Sequence, residues 1–185
     1  MERERLKPFR LKEMLTMATS ARDNLIAWLR DAHAMEEQAE TMLTAQFERL
    51  EHYPKLKARV GEHIQETKQQ ASLLKGCLDR LGEGHSVLKD AAGKLTAMAQ
   101  GMGGVFASDE VVKGSLASYT FEHMEIASYR ILIATAEYVG DQETVAVCRR
   151  ILEEELAMAK WLEENIGAVT LQFLTRDESD VTAKR

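Results

Sequence analysis

Apolar residues recur at alternating three- and four-residue steps along most of the chain, the period of helices that each bury one face. Between about residues 21 and 52 the stripe reads Leu25, Leu29, Ala32, Glu36, Ala39, Leu43, Phe47 and Leu50, with Ser20 or Asp23 as its expected cap. Tyr53-Pro54 ends this helix, because proline pushes the preceding residue out of the helical region and is itself welcome in a first turn. A second helix, from Pro54 to about Leu81, places Leu56, Val60, His63, Glu66, Gln70, Leu74, Cys77 and Leu81 on one face before Gly82 and Gly84 stop it. A third begins near Ser108, with Val112, Leu116, Tyr119, Glu122, Ile126, Tyr129, Ile133 and Ala136 in its stripe. Gly140 closes it, and Asp141 caps a fourth helix carrying Val145, Cys148, Leu152, Glu155, Ala159, Leu162 and Ile166 and reaching about Leu174.

No stretch alternates with period two, so the pattern predicts an all-α chain. The turns at Tyr53-Pro54 and Gly140-Asp141 are tight hairpins, but roughly 25 residues separate the second helix from the third, against the two to eight usual in a bundle. That interval is expected to hold a short helix over residues 86–100 and to carry the chain from one end of a four-helix bundle to the other. Residues 1–20 read as an arm, 21–174 as the bundle and 175–185 as a polar tail.

Composition narrows the function classes. A net charge of -6 and a pI near 5.5 argue against a nucleic-acid partner, which would require a basic stripe. The chain has no run apolar enough for a membrane span and no secretory leader pattern at its start. Cys77 and Cys148 lie far apart in apolar stripes, which suits buried thiols in a reducing, cytoplasmic setting. No Ser/His/Asp or Cys/His arrangement suggests a nucleophilic hydrolase, and no catalytic residue is assigned.

The candidate chemistry lies in acids that interrupt the stripes. Glu36 and Glu66 flank the first turn as Glu122 and Glu155 flank the second. Each acid stands about 13 to 18 residues from its turn, so at ~1.5 Å rise per residue both pairs meet within about one helical turn in height. Four bare carboxylates at one core level repel one another, and a pair of cations would neutralise them. Oxygen-rich sites suit iron or manganese, and ferritin-like di-metal bundles use one Glu from each of two helices and Glu-x-x-His from the other two. Here Gln69 follows Glu66 and Met158 follows Glu155 where those histidines would stand. Gln69 offers an amide oxygen, Glu125 a replacement carboxylate one turn after Glu122, and His63 or Gln70 a further ligand or its support. Tyr119 or Tyr129 would be placed to pass electrons, while His33 and His123 read as flanking residues.

The blocks Asp31 to Gln38, His63 to Thr67, Glu122 to Tyr129 and Leu152 to Glu155 resemble the YciE/YciF-like family of bacterial ferritin-like stress proteins, over about Asn24 to Ile166. The resemblance implies a ferritin-like four-helix bundle with one long crossover between helices two and three, homodimerisation, a di-metal centre and an association with stress responses, without a settled reaction. Relatives often carry an acid soon after the helix-four glutamate, where Met158 and Ala159 are apolar here. The resulting expectation is a bundle holding two iron or manganese ions on Glu36, Glu66, Glu122, Glu125, Glu155 and Gln69. The competing expectation is a non-enzymatic structural or interaction module of the same fold that binds no metal.

Overall fold

The computed structural model describes residues 8–82 and 109–179, and among these described residues there are four helices. They are α1 (Pro8–Arg49), α2 (Pro54–Arg80), α3 (Glu110–Val139) and α4 (Gln142–Glu178). The short helix expected over residues 86–100 and most of the expected polar tail lie outside the described residues, as does the start of the expected arm.

Helix α1 begins at Pro8, well before the expected cap at Ser20 or Asp23. No glycine or proline stands between Phe9 and Tyr53, so nothing in the chain interrupts the helix there, and a proline fits its first turn. Pro54 plays the same part in α2, where Lys57 N donates to Tyr53 O at 2.9 Å. At the other hairpin, Gly140 takes φ 80°, a left-handed conformation that glycine adopts without strain. It allows Asp141 N to reach Ala136 O at 2.8 Å and Gly140 N to reach Glu137 O at 3.1 Å, closing α3 in a Schellman turn. Asp141 then caps α4, its side chain accepting from Thr144 N at 3.2 Å, as expected from the sequence.

The two hairpins pack side by side, α1 against α3 and α2 against α4. Both of these contacts are antiparallel. Arg49 at the end of α1 pairs with Glu110 at the start of α3, and Gln46 Oε1 accepts from Ser118 Oγ at 3.0 Å. In the other pair, Lys55 reaches Asn165, Gln70 reaches Glu154, and Arg80 reaches Asp141, at 2.7, 2.9 and 2.8 Å. The end of α2 therefore lies at the Gly140-Asp141 turn, while the start of α3 lies beside Arg49 at the opposite end. The connection between them joins opposite ends of the bundle, about 40 Å apart for a 27-residue helix at 1.5 Å per residue.

One continuous apolar core runs through all four helices, from Leu25, Leu29 and Leu56 through Leu74, Tyr129 and Leu132 to Ile151, Met158 and Leu162. Two stripes differ in phase from the sequence reading. On α3, Leu116 is 56% exposed, and apart from Val111 and Phe121 the buried positions before Glu122 are the small Gly114, Ser115 and Ser118. Those small residues let α3 lie close on α1: a Cβ added to Gly114 would stand 3.2 Å from Gln46 Nε2. On α2, Thr67 takes the interior position between His63 and Gln70, which leaves Glu66 at the border. Among the described residues no helix is long and apolar enough to cross a membrane.

Candidate metal centre

At mid-bundle, each helix turns polar side chains into the core: Glu36 from α1, His63 from α2, Glu122 and Glu125 from α3, and Glu155 from α4. All five are at most 2% exposed. Glu122 and Glu125, three residues apart, share one face of α3. His63 stands among the acids. Its Nε2 lies 3.3 Å from Glu122 Oε2 and 3.5 Å from Glu155 Oε2, and its Nδ1 lies 2.7 Å from Glu66 Oε2. One ligand atom from each of His63, Glu122, Glu125 and Glu155 can be chosen so that all lie within 4.8 Å of one another. Glu36 closes the α1 side, its Oε1 accepting a hydrogen bond from the buried Tyr129 hydroxyl.

Desolvation dominates the electrostatics, because a carboxylate loses several kcal/mol of hydration when buried. Burial pushes Glu36 up to about 8, against the lowering effect of the Tyr129 hydrogen bond and of His63. Burial also raises Glu125 and Glu155 well above the usual carboxylate range. The neighbouring charge of Glu36 adds to both shifts, so Glu36 acts on the other acids electrostatically. Tyr129 is likewise raised, first by burial and then by Glu36, and stays a neutral donor. Burial works against a charge on His63, but its bonds to Glu122 and Glu66 overcome this and raise the imidazole to about 10. At neutral pH, protons and one imidazolium thus offset much of the charge of the acids.

The donor set could hold a hard metal ion. With the acids ionised, Glu36 Oε2, Glu125 Oε2 and both Glu155 oxygens have no hydrogen-bond donor among the described residues, and Glu122 Oε2 meets only the His63 ring, at 3.3 Å. Buried polar atoms seldom go unpartnered, and four orphaned oxygens converging on one level of the core are the complement of a cation. Four carboxylates match the charge of two divalent ions, and carboxylate oxygens with a single imidazole suit iron or manganese better than a thiolate-seeking metal. Met158 is wholly buried one turn after Glu155 and adds only apolar packing.

Of the residues singled out from sequence, Glu36, Glu122, Glu125 and Glu155 are brought together. Glu66 is not among them. Its side chain is 34% exposed and lies on the outer side of His63, where Arg59 Nη1 and Nη2 both donate to Oε2 at 3.1 Å. These partners hold its carboxyl below the usual range, the His63 hydrogen bond contributing most. Gln69 is exposed on α2, since the phase that buries His63, Thr67 and Gln70 turns it to solvent. The imidazole absent after Glu66 and Glu155 is supplied three residues before Glu66. Arg59 and Glu154 went unremarked in the sequence, although Arg59 stands two turns before Glu66 on the same helical face. Glu154 accepts from Gln70 Nε2 at 2.9 Å beside the cluster. His123 is exposed and stacks edge-on against Tyr119 at 4.6 Å, and the buried His33 lies 3.7 Å from Glu37.

A family model described as a domain of unknown function (DUF892) matches residues 20–175. Among solved structures, a protein from Xanthomonas campestris is 42% identical, with a TM-score of 0.73, over 86% of this chain and 99% of its own. The Escherichia coli stress protein YciF is 25% identical, with a TM-score of 0.66, over 79% of this chain and 94% of its own. YcfI from Rhodopseudomonas palustris is also 25% identical, with a TM-score of 0.64, over 77% and 92%.

Proposed function

Because this chain belongs to the DUF892 family, with the YciF-like resemblance and the all-α bundle both borne out, we propose that it is a carboxylate-rich di-metal protein of the bacterial stress response. The observation that carries this reading is the convergence of His63, Glu122, Glu125 and Glu155 within 4.8 Å at full burial, with four acid oxygens lacking donors. Iron or manganese is the metal that suits these donors, as two ions for four carboxylates. When bound, such ions supply one-electron chemistry toward dioxygen or peroxide, or are simply stored.

The protein's own residues then have distinct parts. Glu122, Glu125 and Glu155 hold the ions, and Glu36 closes the site from α1. Tyr129 fixes the rotamer of Glu36 through its hydroxyl and, being wholly buried, keeps water from that side. His63 would give up its Nε2 proton to become a ligand and keep its Nδ1–H, which donates to Glu66 and orients the ring from behind. The apolar walls, Met158 and Leu132 among them, lower the local dielectric and strengthen each carboxylate's hold. The working form is a cytoplasmic homodimer built on residues 21–174. Free, buried Cys77 and Cys148 support a reducing compartment, and exposed Leu116, Ile131 and Tyr138 on α3 support a second copy.

Metal analysis after anaerobic loading with Fe(II) or Mn(II) tests the reading. Wild type should retain about two ions per chain, as four carboxylates require, and the Glu122→Gln, Glu155→Gln double variant should retain none. Wild type emerging from desalting without stoichiometric metal ends the proposal.

One observation favours the second reading, a metal-free structural module. The His63 imidazolium, placed between Glu66, Glu122 and Glu155, is itself a cation for the cluster. That reading requires the chelated protein to be as stable as the protein with added metal.

A further inference from the structure

The proposed ions must reach a centre whose five side chains are at most 2% exposed, so the core needs a route to water. Three polar groups border those five side chains. Tyr129 touches Glu36 but is itself wholly buried. Glu154 is 24% exposed at its side chain and hydrogen-bonded to the buried Gln70, which has no bond to a cluster residue. Glu66 alone among the described residues both bonds to a cluster side chain, through His63 Nδ1 at 2.7 Å, and reaches solvent, at 34%.

Its partners give that carboxylate the character of a latch. His63 Nδ1, Arg59 Nη1 and Arg59 Nη2 all converge on Oε2, and no described side chain binds Oε1. The Arg59 side chain, 12% exposed, shares this oxygen with the imidazole and puts a fixed positive charge beside Glu66. A cation arriving from solvent meets an available carboxylate oxygen first, then the imidazole that Glu66 holds, then Glu122 and Glu155 at 3.3 and 3.5 Å from that ring.

We infer that Glu66 and Arg59 form the gate through which divalent cations reach the buried centre, Glu66 capturing the ion and Arg59 holding the gate shut against it. This inference rests on the di-metal reading and assigns Glu66 a part in the rate of loading, not in the final coordination. Carboxylates at the mouth of a low-dielectric site raise the local cation concentration and on-rates by roughly 10- to 1000-fold, whereas a guanidinium at the mouth opposes it.

Stopped-flow absorbance of Co(II) uptake by the full chain, with metal content measured at the end point, separates rate from occupancy. Glu66→Gln should load on the order of tenfold more slowly, at the lower end of that steering range, and reach wild-type stoichiometry. Arg59→Gln should load faster and reach the same end point. Asp79→Asn supplies the comparison for charge alone: it removes an equal charge from the same helix at a side chain 49% exposed that pairs with Lys75, away from Arg59, and should leave the rate unchanged. If Glu66→Gln loses a bound ion at the end point, Glu66 is a ligand and the gate is overturned. If Glu154→Gln slows uptake while Glu66→Gln does not, ions enter from the α4 side and the inference also fails. Equal slowing by Asp79→Asn and Glu66→Gln reduces the effect to surface charge and overturns it as well. Absence of any Co(II) uptake by wild type instead removes the di-metal reading on which the gate rests.

Discussion

Two regions of the bundle bury acids between α2 and its neighbours, and they do so in opposite ways. At the hairpin end, Asp141 receives Arg80, Thr144 Oγ1 and Thr144 N at 2.7 to 3.2 Å, so both carboxylate oxygens have donors. Burial raises its proton affinity, but these hydrogen bonds outweigh that and hold the carboxyl below its usual range. At mid-bundle, Glu125 and Glu155 face other acids, and burial raises them instead. The first arrangement is complete in the protein alone and is structural. The second leaves most of its buried carboxylate oxygens without a donor, and its acids are offset only by protons and the His63 ring.

The sharpest way to break the comparison is to add the missing charge. Saturating Mn(II), at about a thousandfold over its Kd, should stabilise wild type by about 4 kcal/mol, and thermal unfolding of Glu155→Gln should show no such gain. A metal-induced rise of equal size in Asp141→Asn is also expected, because the hairpin acid is already paired. Next in size is Tyr129→Phe, which removes the donor on Glu36 and leaves that buried oxygen unpartnered. In chelator it should cost about 1 to 3 kcal/mol by urea unfolding, and an unchanged midpoint would mean that the hydroxyl holds nothing.

Asp141→Ala should cost about 0.5 to 2 kcal/mol, the range for loss of a helix cap. Its pH dependence has a defined sign. The folded carboxyl titrates below the unfolded one, so its contribution is present above an unfolded value of about 3.9 and fades as pH falls through the folded value. The difference between wild type and Asp141→Asn should therefore vanish in acid. Glu36, Glu125 and Glu155 give the reverse slope. Their folded values are raised, so the metal-free protein is most stable below about pH 4.5 with respect to them. It loses that contribution as pH rises toward the folded value of Glu36, about 8. Chemical denaturation from pH 3 to 8 in chelator separates the two slopes, and added Mn(II) should flatten only the second. The smallest effect belongs to Gln69→Ala: an exposed side chain outside the cluster should change stability by no more than about 0.5 kcal/mol and leave metal content unaltered.

Helix type, the two tight turns and the mid-stripe acids were legible in the sequence because each rests on local chemistry. Proline at Pro54, glycine at Gly140, the Asp141 cap and the three- and four-residue spacing act within a few residues of themselves. Glu36, Glu122 and Glu155 were readable for the same reason, as charged residues at positions where the helical period requires burial. The phase of a stripe is decided elsewhere. Whether Glu66 or Thr67 enters the core of α2, and whether Leu116 or Ser115 does so on α3, differs by a rotation of one residue that periodicity tolerates. Close packing of Gly114 against Gln46 and the seating of His63 among three acids choose between them.

The sequence by itself therefore determined four amphipathic helices, their antiparallel hairpins and a belt of acids near one height, because period, turn chemistry and rise per residue are properties of the chain. Only the tertiary structure decided that His63 completes the belt, that Glu66 stands outside it under Arg59, and that Tyr129 donates to Glu36. Those contacts join residues on different helices, or depend on which way a helix is turned, and rotation is fixed by the packing of all four helices together.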